Sequence, residues 1–133
     1  MIRWETVRQI GPLDAGFFMY CEEIDWCMRA KAAGWGIHCV PRAKITHLAA
    51  QSTRQFRHQM FVALWRSRYR LFDKHYGPLY RYLVRIIVRA GLARRVRQTQ
   101  SALLRGEIDQ DEATRRLAAC REVADMPRTL SGM

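Results

Sequence analysis

The sequence predicts an α/β protein in which a small region of short strands and one helix is followed by a mainly α-helical extension. Three observations support this fold class. Alternating apolar and polar residues over 35–40 indicate a strand, and an acidic segment followed by apolar residues indicates a helix over about 22–33. Beyond these, long stretches carry apolar residues three and four positions apart, which is typical of helices. The predicted division is therefore residues 1–53 and residues 54–133.

Short elements separated by breaks are predicted in the first region. A short helix or turn is expected before Gly11-Pro12, because that pair stops a helix. The helix over 22–33 begins with acidic residues, which favour the positive end of the helix dipole, and Gly34 supplies its end. A strand over 35–40 and a second extended piece over 43–48 follow. Two strands and one helix cannot bury a large core alone, so this region is expected to be incomplete.

Three helices are predicted in the second region. The first runs over about 52–74 and begins with a hydroxyl residue as its N-cap. The second runs over about 79–105. Beyond Gly91 two arginines fall on its apolar side, so a bend or a change of environment is expected there. The last helix, over about 109–125, begins with a pattern that resembles a capping box.

The charge of the chain is concentrated in its middle. The formal net charge is +11, and residues 51–105 hold thirteen Lys and Arg against a single Asp. Such a block predicts a partner of opposite sign: anionic lipid, nucleic acid or an acidic protein. The four cysteines match no familiar disulfide or zinc spacing, and no apolar leader follows Met1, so a reducing, cytoplasmic setting is expected.

The segment with the most unusual chemistry is 17–29, where aromatic residues flank three carboxylates. Glu22, Glu23 and Asp25 lie within four positions in a chain that is otherwise basic. A carboxylate in a partly closed apolar setting tends to have a raised pKa, which suits a general base. The alternative is that an acidic helix start only stabilises the dipole. The apolar face of this helix is predicted to consist of Ile24, Cys27 and Met28.

A series of motifs in fixed order resembles the C-terminal half of family 2 glycosyltransferases, and most closely their bacterial rhamnosyltransferase-like branch. In chain order the motifs are Gly11-Pro12-Leu13-Asp14, Phe17-Phe18-Met19-Tyr20, Glu22-Glu23-Ile24-Asp25-Trp26-Cys27-Met28-Arg29, Ala33-Gly34-Trp35, Val40-Pro41-Arg42-Ala43, His47 and Ser52. A looser match continues to Asp73-Lys74-His75-Tyr76-Gly77. The resemblance implies part of a GT-A type fold and an inverting glycosyltransferase of surface polysaccharide synthesis.

The resemblance also implies roles for individual residues. Glu23 corresponds to the catalytic base of the family, and His47 corresponds to a ligand of the divalent metal, Mg or Mn. Glu22, Asp25, Trp26 and Arg29 are expected to bind the acceptor or support the site. The substrates implied are a nucleotide-sugar donor and a saccharide or lipid-linked acceptor.

Two departures from the family qualify these expectations. Ala49-Ala50 replaces a pair of glycines that is frequent in the family, so the loop after His47 is expected to be less flexible. The nucleotide-binding half of the family, with its Asp-x-Asp metal motif, has no counterpart in this sequence. The chain is therefore expected to be a fragment, one half of a split enzyme whose other half is encoded separately, or a non-catalytic remnant, and to be inactive alone.

The helix over about 79–105 has two interpretations. Arg81, Arg85 and Arg89 lie opposite an apolar side that contains Leu83 and Ile86-Ile87, which is typical of a helix at an anionic membrane surface. This would place a cytoplasmic protein at the inner face of the membrane. The same pattern also fits a helix packed on its neighbours with a solvated basic face. A basic module that binds nucleic acid is a further alternative, although few aromatic residues are placed to stack on bases.

Overall fold

Five helices make up the secondary structure of the residues that the computed structural model describes, which are 1–44, 46 and 57–126. The helices are α1 (Trp4–Ile10), α2 (Glu22–Ala32), α3 (Arg57–His75), α4 (Pro78–Leu104) and α5 (Gln110–Ala124). α5 packs against both α3 and α4, and α1 packs against α2. None of the helices in the described residues is long and apolar enough to cross a membrane.

The main hydrophobic core lies among α3, α4 and α5. Its buried members are Val62, Tyr69, Val88, Leu92, Ala119, Cys120, Val123 and Met126. A smaller cluster contains Phe17, Cys21 and Leu71, and it joins the segment before α2 to the middle of α3. The start of α2 is thus attached to a helical scaffold by a modest apolar contact.

The prediction of an α/β fold with short strands is wrong for the described residues, which contain no strand. Residues 35–40 are irregular and mostly exposed. The amide of Trp35 closes the end of α2 by donating to the Ala30 carbonyl at 3.0 Å. Alternation alone does not make a strand, because a strand needs a neighbour to satisfy its backbone groups, and no such neighbour lies in the described region. Of the second extended piece, residues 45, 47 and 48 lie outside the described residues.

The predicted helices are present, with two differences in how they pack. On α2 the buried residues are Asp25 and Ala30, whereas Ile24 of the predicted apolar face is exposed. α4 continues through Gly91 as one uninterrupted helix. The start predicted for the helix over 52–74 lies outside the described residues.

α4 packs on its neighbours by the side that carries two of its arginines. Val88 and Leu92 are buried in the core on that side. The guanidinium of Arg85 lies 4.3 Å from the Tyr69 ring centroid and donates to the Met126 carbonyl at 3.2 Å. Arginine stems pack well against apolar surface, so a helix with one arginine side and one apolar side can be buried by either.

Candidate functional site

The acidic start of α2 is reached through an unusual turn. Tyr20 and Cys21 both have φ of 69°, and Cys21 is the N-cap residue of the helix. Residues other than glycine rarely adopt this left-handed backbone conformation, which costs on the order of 1–3 kcal/mol for each residue. Ser67 of α3 holds the turn, because its hydroxyl donates to the Met19 carbonyl at 2.6 Å. Glu22 therefore enters the helix in a direction set by contacts with α3.

Glu23 lines a wide cleft between α1, α2 and the segment that follows α2. The cleft has a volume of about 850 Å³, and its walls include Trp26, Trp35 and His38. The Glu23 side chain is exposed, so it is accessible to a molecule that enters the cleft. A mainly apolar and aromatic wall with a small number of polar groups is the usual character of a ligand site.

The two indole rings of the cleft are held by their own N–H groups. Trp26 Nε1 donates to the Gly11 carbonyl at 3.0 Å, and Trp35 Nε1 donates to Gln9 Oε1 at 2.8 Å. Both acceptors lie at the end of α1, which packs on α2. The α1 end thereby fixes the orientation of the aromatic walls.

Asp25 lies on α2 away from the cleft and is fully buried. Its Oδ2 accepts from Arg29 Nε at 2.9 Å. Its Oδ1 accepts from His75 Nε2 at 2.8 Å and from Lys74 Nζ at 2.7 Å. Burial acts to raise the pKa of Asp25, but the hydrogen bonds from Lys74, His75 and Arg29 outweigh it, so the pKa is lowered. The carboxylate is thus held ionised as the link between α2 and the end of α3.

A second carboxylate, Asp14, extends this link to the loop before α2. Lys74 Nζ donates to its Oδ2 at 2.7 Å, and Arg70 lies within 3.2 Å of both oxygens. Hydrogen bonds from Lys74, from the Gly16 amide and from Arg70 hold the pKa of Asp14 well below its ordinary value. Together Asp14, Asp25, Arg29, Arg70, Lys74 and His75 form one ion-pair network.

Arg29 connects the network back to the cleft. Its guanidinium donates to the Ile10 carbonyl and, at 2.8 Å, to the Pro12 carbonyl. The loop that follows α1 is therefore tied to α2 at two points, through Arg29 and through the indole of Trp26. Because this loop borders the cleft, the ion-pair network helps to fix the position of the cleft wall through Arg29.

The predicted site residues occupy different surroundings. Glu23 and Trp26 line the cleft, whereas Asp25 and Arg29 belong to the ion-pair network. Glu22 is half-buried, and its Oε2 is buried with no hydrogen-bond partner in the described part of the chain. His47 lies outside the described residues.

The predicted basic residues of α4 make different contacts. Arg81 pairs with Asp73 at 3.3 Å, and Arg85 packs on Tyr69. Arg89 is exposed. The three line a smaller cleft of about 310 Å³ with Ile86 among its walls.

Four residues of the network were not predicted as part of the site: Asp14, Arg70, Lys74 and His75. Asp14, Lys74 and His75 fall in motifs that already resembled the family, which was the available signal. Their partners could not be read from the sequence, since Lys74 is 60 residues from Asp14.

The described residues do not supply the expected metal site by themselves. They contain no group of three His, Cys, Asp or Glu side chains placed to hold an ion. The carboxylates of Asp14 and Asp25 are occupied by cationic side chains, which a metal would have to displace.

Comparison with known proteins finds rhamnosyltransferases. The chain is similar to the rhamnosyltransferase WbbL of Escherichia coli strain K12, with 34% identity over 70 residues, which are 53% of this chain and 26% of that protein. It is also similar to the N-acetylglucosaminyl-diphospho-decaprenol L-rhamnosyltransferases of Mycobacterium tuberculosis strains CDC 1551 / Oshkosh and H37Rv. Identity to each is 34% over 96 residues, which are 71% of this chain and 31% of those proteins.

No protein-family model and no solved structure matches the chain. The aligned residues span about a quarter to a third of the length of the curated relatives. The resemblance derived from the motifs is confirmed: the chain is related to the bacterial rhamnosyltransferases and corresponds to a part of them.

Proposed function

We propose that this chain is the acceptor-side part of an inverting glycosyltransferase in surface polysaccharide synthesis, with Glu23 as its general base. The relatives act as rhamnosyltransferases according to their names, and those of Mycobacterium tuberculosis are named for a diphospho-decaprenol acceptor. By analogy, the donor is a nucleotide-sugar and the acceptor is a saccharide or a lipid-linked saccharide. The observation that carries the proposal is the position of Glu23 in a wide, aromatic-walled cleft.

Glu23 meets the geometric requirement of a general base, which must reach the hydroxyl that it deprotonates. It lies in the first turn of α2, and its exposed side chain lines the cleft. Asp25, two residues later, is fully buried and its carboxylate is already bonded to Arg29, Lys74 and His75, so it has no capacity left for a substrate proton. Of these two carboxylates, only Glu23 is available to an acceptor.

The cleft is also suited to hold a sugar ring. The flat indole faces of Trp26 and Trp35 offer apolar surface to the C–H face of a pyranose, while their N–H groups are already bonded to α1.

In the proposed reaction, the Glu23 carboxylate takes the proton of the acceptor hydroxyl as its oxygen attacks the anomeric carbon. The new glycosidic bond forms on the face opposite the departing nucleoside diphosphate, whose bond to that carbon breaks, so the configuration inverts. A divalent metal would neutralise the departing diphosphate, as is usual for such leaving groups. The role of this chain is to bind the acceptor and to hold its proton at Glu23.

The test is to replace Glu23 by Gln in the complete enzyme, whether that enzyme is one polypeptide or two, and to measure sugar transfer to a lipid-linked acceptor. Removal of a general base typically lowers the rate by about 10²–10⁴-fold, so kcat should fall in this range. Glu107→Gln is the matched control, because Glu107 is exposed in the loop between α4 and α5. In urea denaturation, the free energy of unfolding of Glu23→Gln should equal that of the wild type to within about 1 kcal/mol, the size of a helix-dipole effect. Undiminished turnover in Glu23→Gln would overturn the proposal and leave Glu23 as a dipole-stabilising residue.

A further inference from the structure

α4 exposes a row of apolar side chains on the side opposite its packed face. A helix advances about 100° per residue, so Leu79, Leu83, Ile86 and Ile87 share one side with Ala90. Leu79 and Ile87 are each 70% exposed, and Leu83 and Ile86 are about half exposed. Tyr82, at the edge of this row, is 62% exposed. We refer to these six residues as the apolar stripe.

The stripe is not part of either hydrophobic core. The core contacts of α4 come from Val88, Leu92 and Val96, on the opposite side of the helix. A contiguous exposed apolar surface of this kind marks an interaction site with a protein, a ligand or a membrane.

Arginine side chains border the stripe. Arg94 and Arg97 are exposed and follow the stripe along the same side of α4. On one flank, Arg81, Arg85 and Arg89 line the 310 Å³ cleft together with Tyr82 and Ile86 of the stripe. Apolar groups therefore lie beside cations, both along the helix axis and across it.

We propose that the outward side of α4 docks on the surface of an anionic phospholipid bilayer, with the helix axis parallel to the membrane plane. The apolar stripe would enter the boundary between headgroups and acyl chains, and the exposed Arg89, Arg94 and Arg97 would contact lipid phosphates. Tyr82 suits the same depth, because its ring is apolar and its hydroxyl remains at the headgroups. This inference rests on the exposed surface of α4 and stands whether or not Glu23 is a general base.

Charge favours a membrane over the other occupants of such a stripe. A second copy of the chain would bring together two blocks with thirteen Lys and Arg against one Asp each, and these repel. A nucleic acid would neutralise the arginines, but its phosphate backbone offers no apolar surface to Leu79 or Ile87. An anionic bilayer matches both parts of the surface.

The experiment is vesicle flotation of the full chain with phosphatidylcholine vesicles that contain either no phosphatidylglycerol or about 30% of it, which gives the vesicles an anionic surface. The stripe variant is Leu79→Glu/Ile87→Glu. Phe18→Glu is its control, because Phe18 is 79% exposed, lies outside α4 and likewise exchanges an exposed apolar side chain for a carboxylate. A second variant, Arg94→Gln/Arg97→Gln, removes cations without touching the stripe.

The wild type and Phe18→Glu should float with the anionic vesicles, and binding should weaken in high salt. The stripe variant should lose most of its binding. The arginine variant should bind about 10-fold or more weakly to anionic vesicles, since each Lys or Arg near a membrane surface contributes about a factor of five. Circular dichroism establishes that each variant is helical.

Three results would overturn the inference. The first is a wild type that fails to float with anionic vesicles. The second is a stripe variant that floats as well as the wild type. The third is a wild type that dimerises in sedimentation velocity, or shifts duplex DNA, while it leaves vesicles unbound.

Discussion

Asp25 is expected to be the residue whose charge matters most for holding α2 on α3. Its carboxylate is fully buried and contacts the cationic side chains of Arg29 and Lys74 and the ring of His75 at 2.7–2.9 Å. Asp25→Asn preserves the size of the side chain but removes its charge. The new amide N–H group would also face the N–H donors that now bond the carboxylate. Breaking a buried pair costs about 3–5 kcal/mol. Because Arg29 and Lys74 remain 23% and 30% exposed and regain some water, we expect a loss near the lower limit, about 3 kcal/mol.

The measurement is urea denaturation followed by circular dichroism. The midpoint should fall without a change in the slope, since the surface exposed on unfolding is unchanged. In a thermal scan the same loss corresponds to roughly 10–15 °C for a chain of this size. Asp111→Asn, at an exposed position in the first turn of α5, is the matched control and should change stability by about 0.5 kcal/mol or less.

A double-mutant cycle with Lys74→Met then isolates the pair. The coupling free energy between Asp25 and Lys74 should reach about 1.5 kcal/mol or more, as for hydrogen bonds to charged groups. If Asp25→Asn loses less than about 1 kcal/mol, or if the coupling is near zero, the network does not hold α2 as described.

Three further predictions concern stability. The pKa values of Asp14 and Glu112 are lowered, the latter to about 2 from 4.5, so the stabilisation from each is complete above its ordinary pKa. The contribution of Glu112 should be lost as the pH falls from about 4.5 to about 2, and part of that of Asp14 should be lost over the same range. Urea midpoints that stay constant over that range would contradict this. Leu92→Ala should cost about 3 kcal/mol in the core, whereas Leu104→Ala, at an 88% exposed position, should cost about 0.5 kcal/mol or less in the same measurement. Asp109→Ala should cost about 1 kcal/mol, because Asp109 caps α5 by accepting from the Glu112 amide, and unchanged thermal melting would exclude this role.

Local signals in the sequence predicted where helices begin and end. Gly34 follows the end of α2 with φ of 87°, a conformation that glycine adopts without strain. Asp109 caps α5 with a 2.7 Å hydrogen bond, as its spacing to Glu112 predicted. Such signals depend on residues within one turn of each other, so they can be read from a single sequence.

The failed predictions depend on distant partners. The alternation over 35–40 suits a strand, but no strand in the described region pairs with it. On α4, the interpretation with an apolar side packed on the neighbours and a solvated basic side does not hold, because the guanidinium of Arg85 lies on the Tyr69 ring. The ion-pair network joins residues 50–60 positions apart, and only the fold brings them together.

The same limit applies to the candidate site. The motifs singled out Glu23 and Trp26, which share the cleft. Helix periodicity alone places Glu23 and Asp25 on different sides of α2, but the sequence could not show which of these sides faces the cleft. A helix separates such neighbours by about 200°, so their surroundings differ completely.

The left-handed turn at Tyr20 and Cys21 sets thermal robustness and catalytic competence against each other. Glycine at either position would relax the backbone, so a selection for heat resistance alone should favour it. The same substitution would let the chain enter α2 from a wider range of directions, so the orientation of Glu23, the proposed base, would be less well fixed. Improvement of this protein for hot conditions is therefore better sought in α5 or at the exposed surface than in the two residues that precede Glu22.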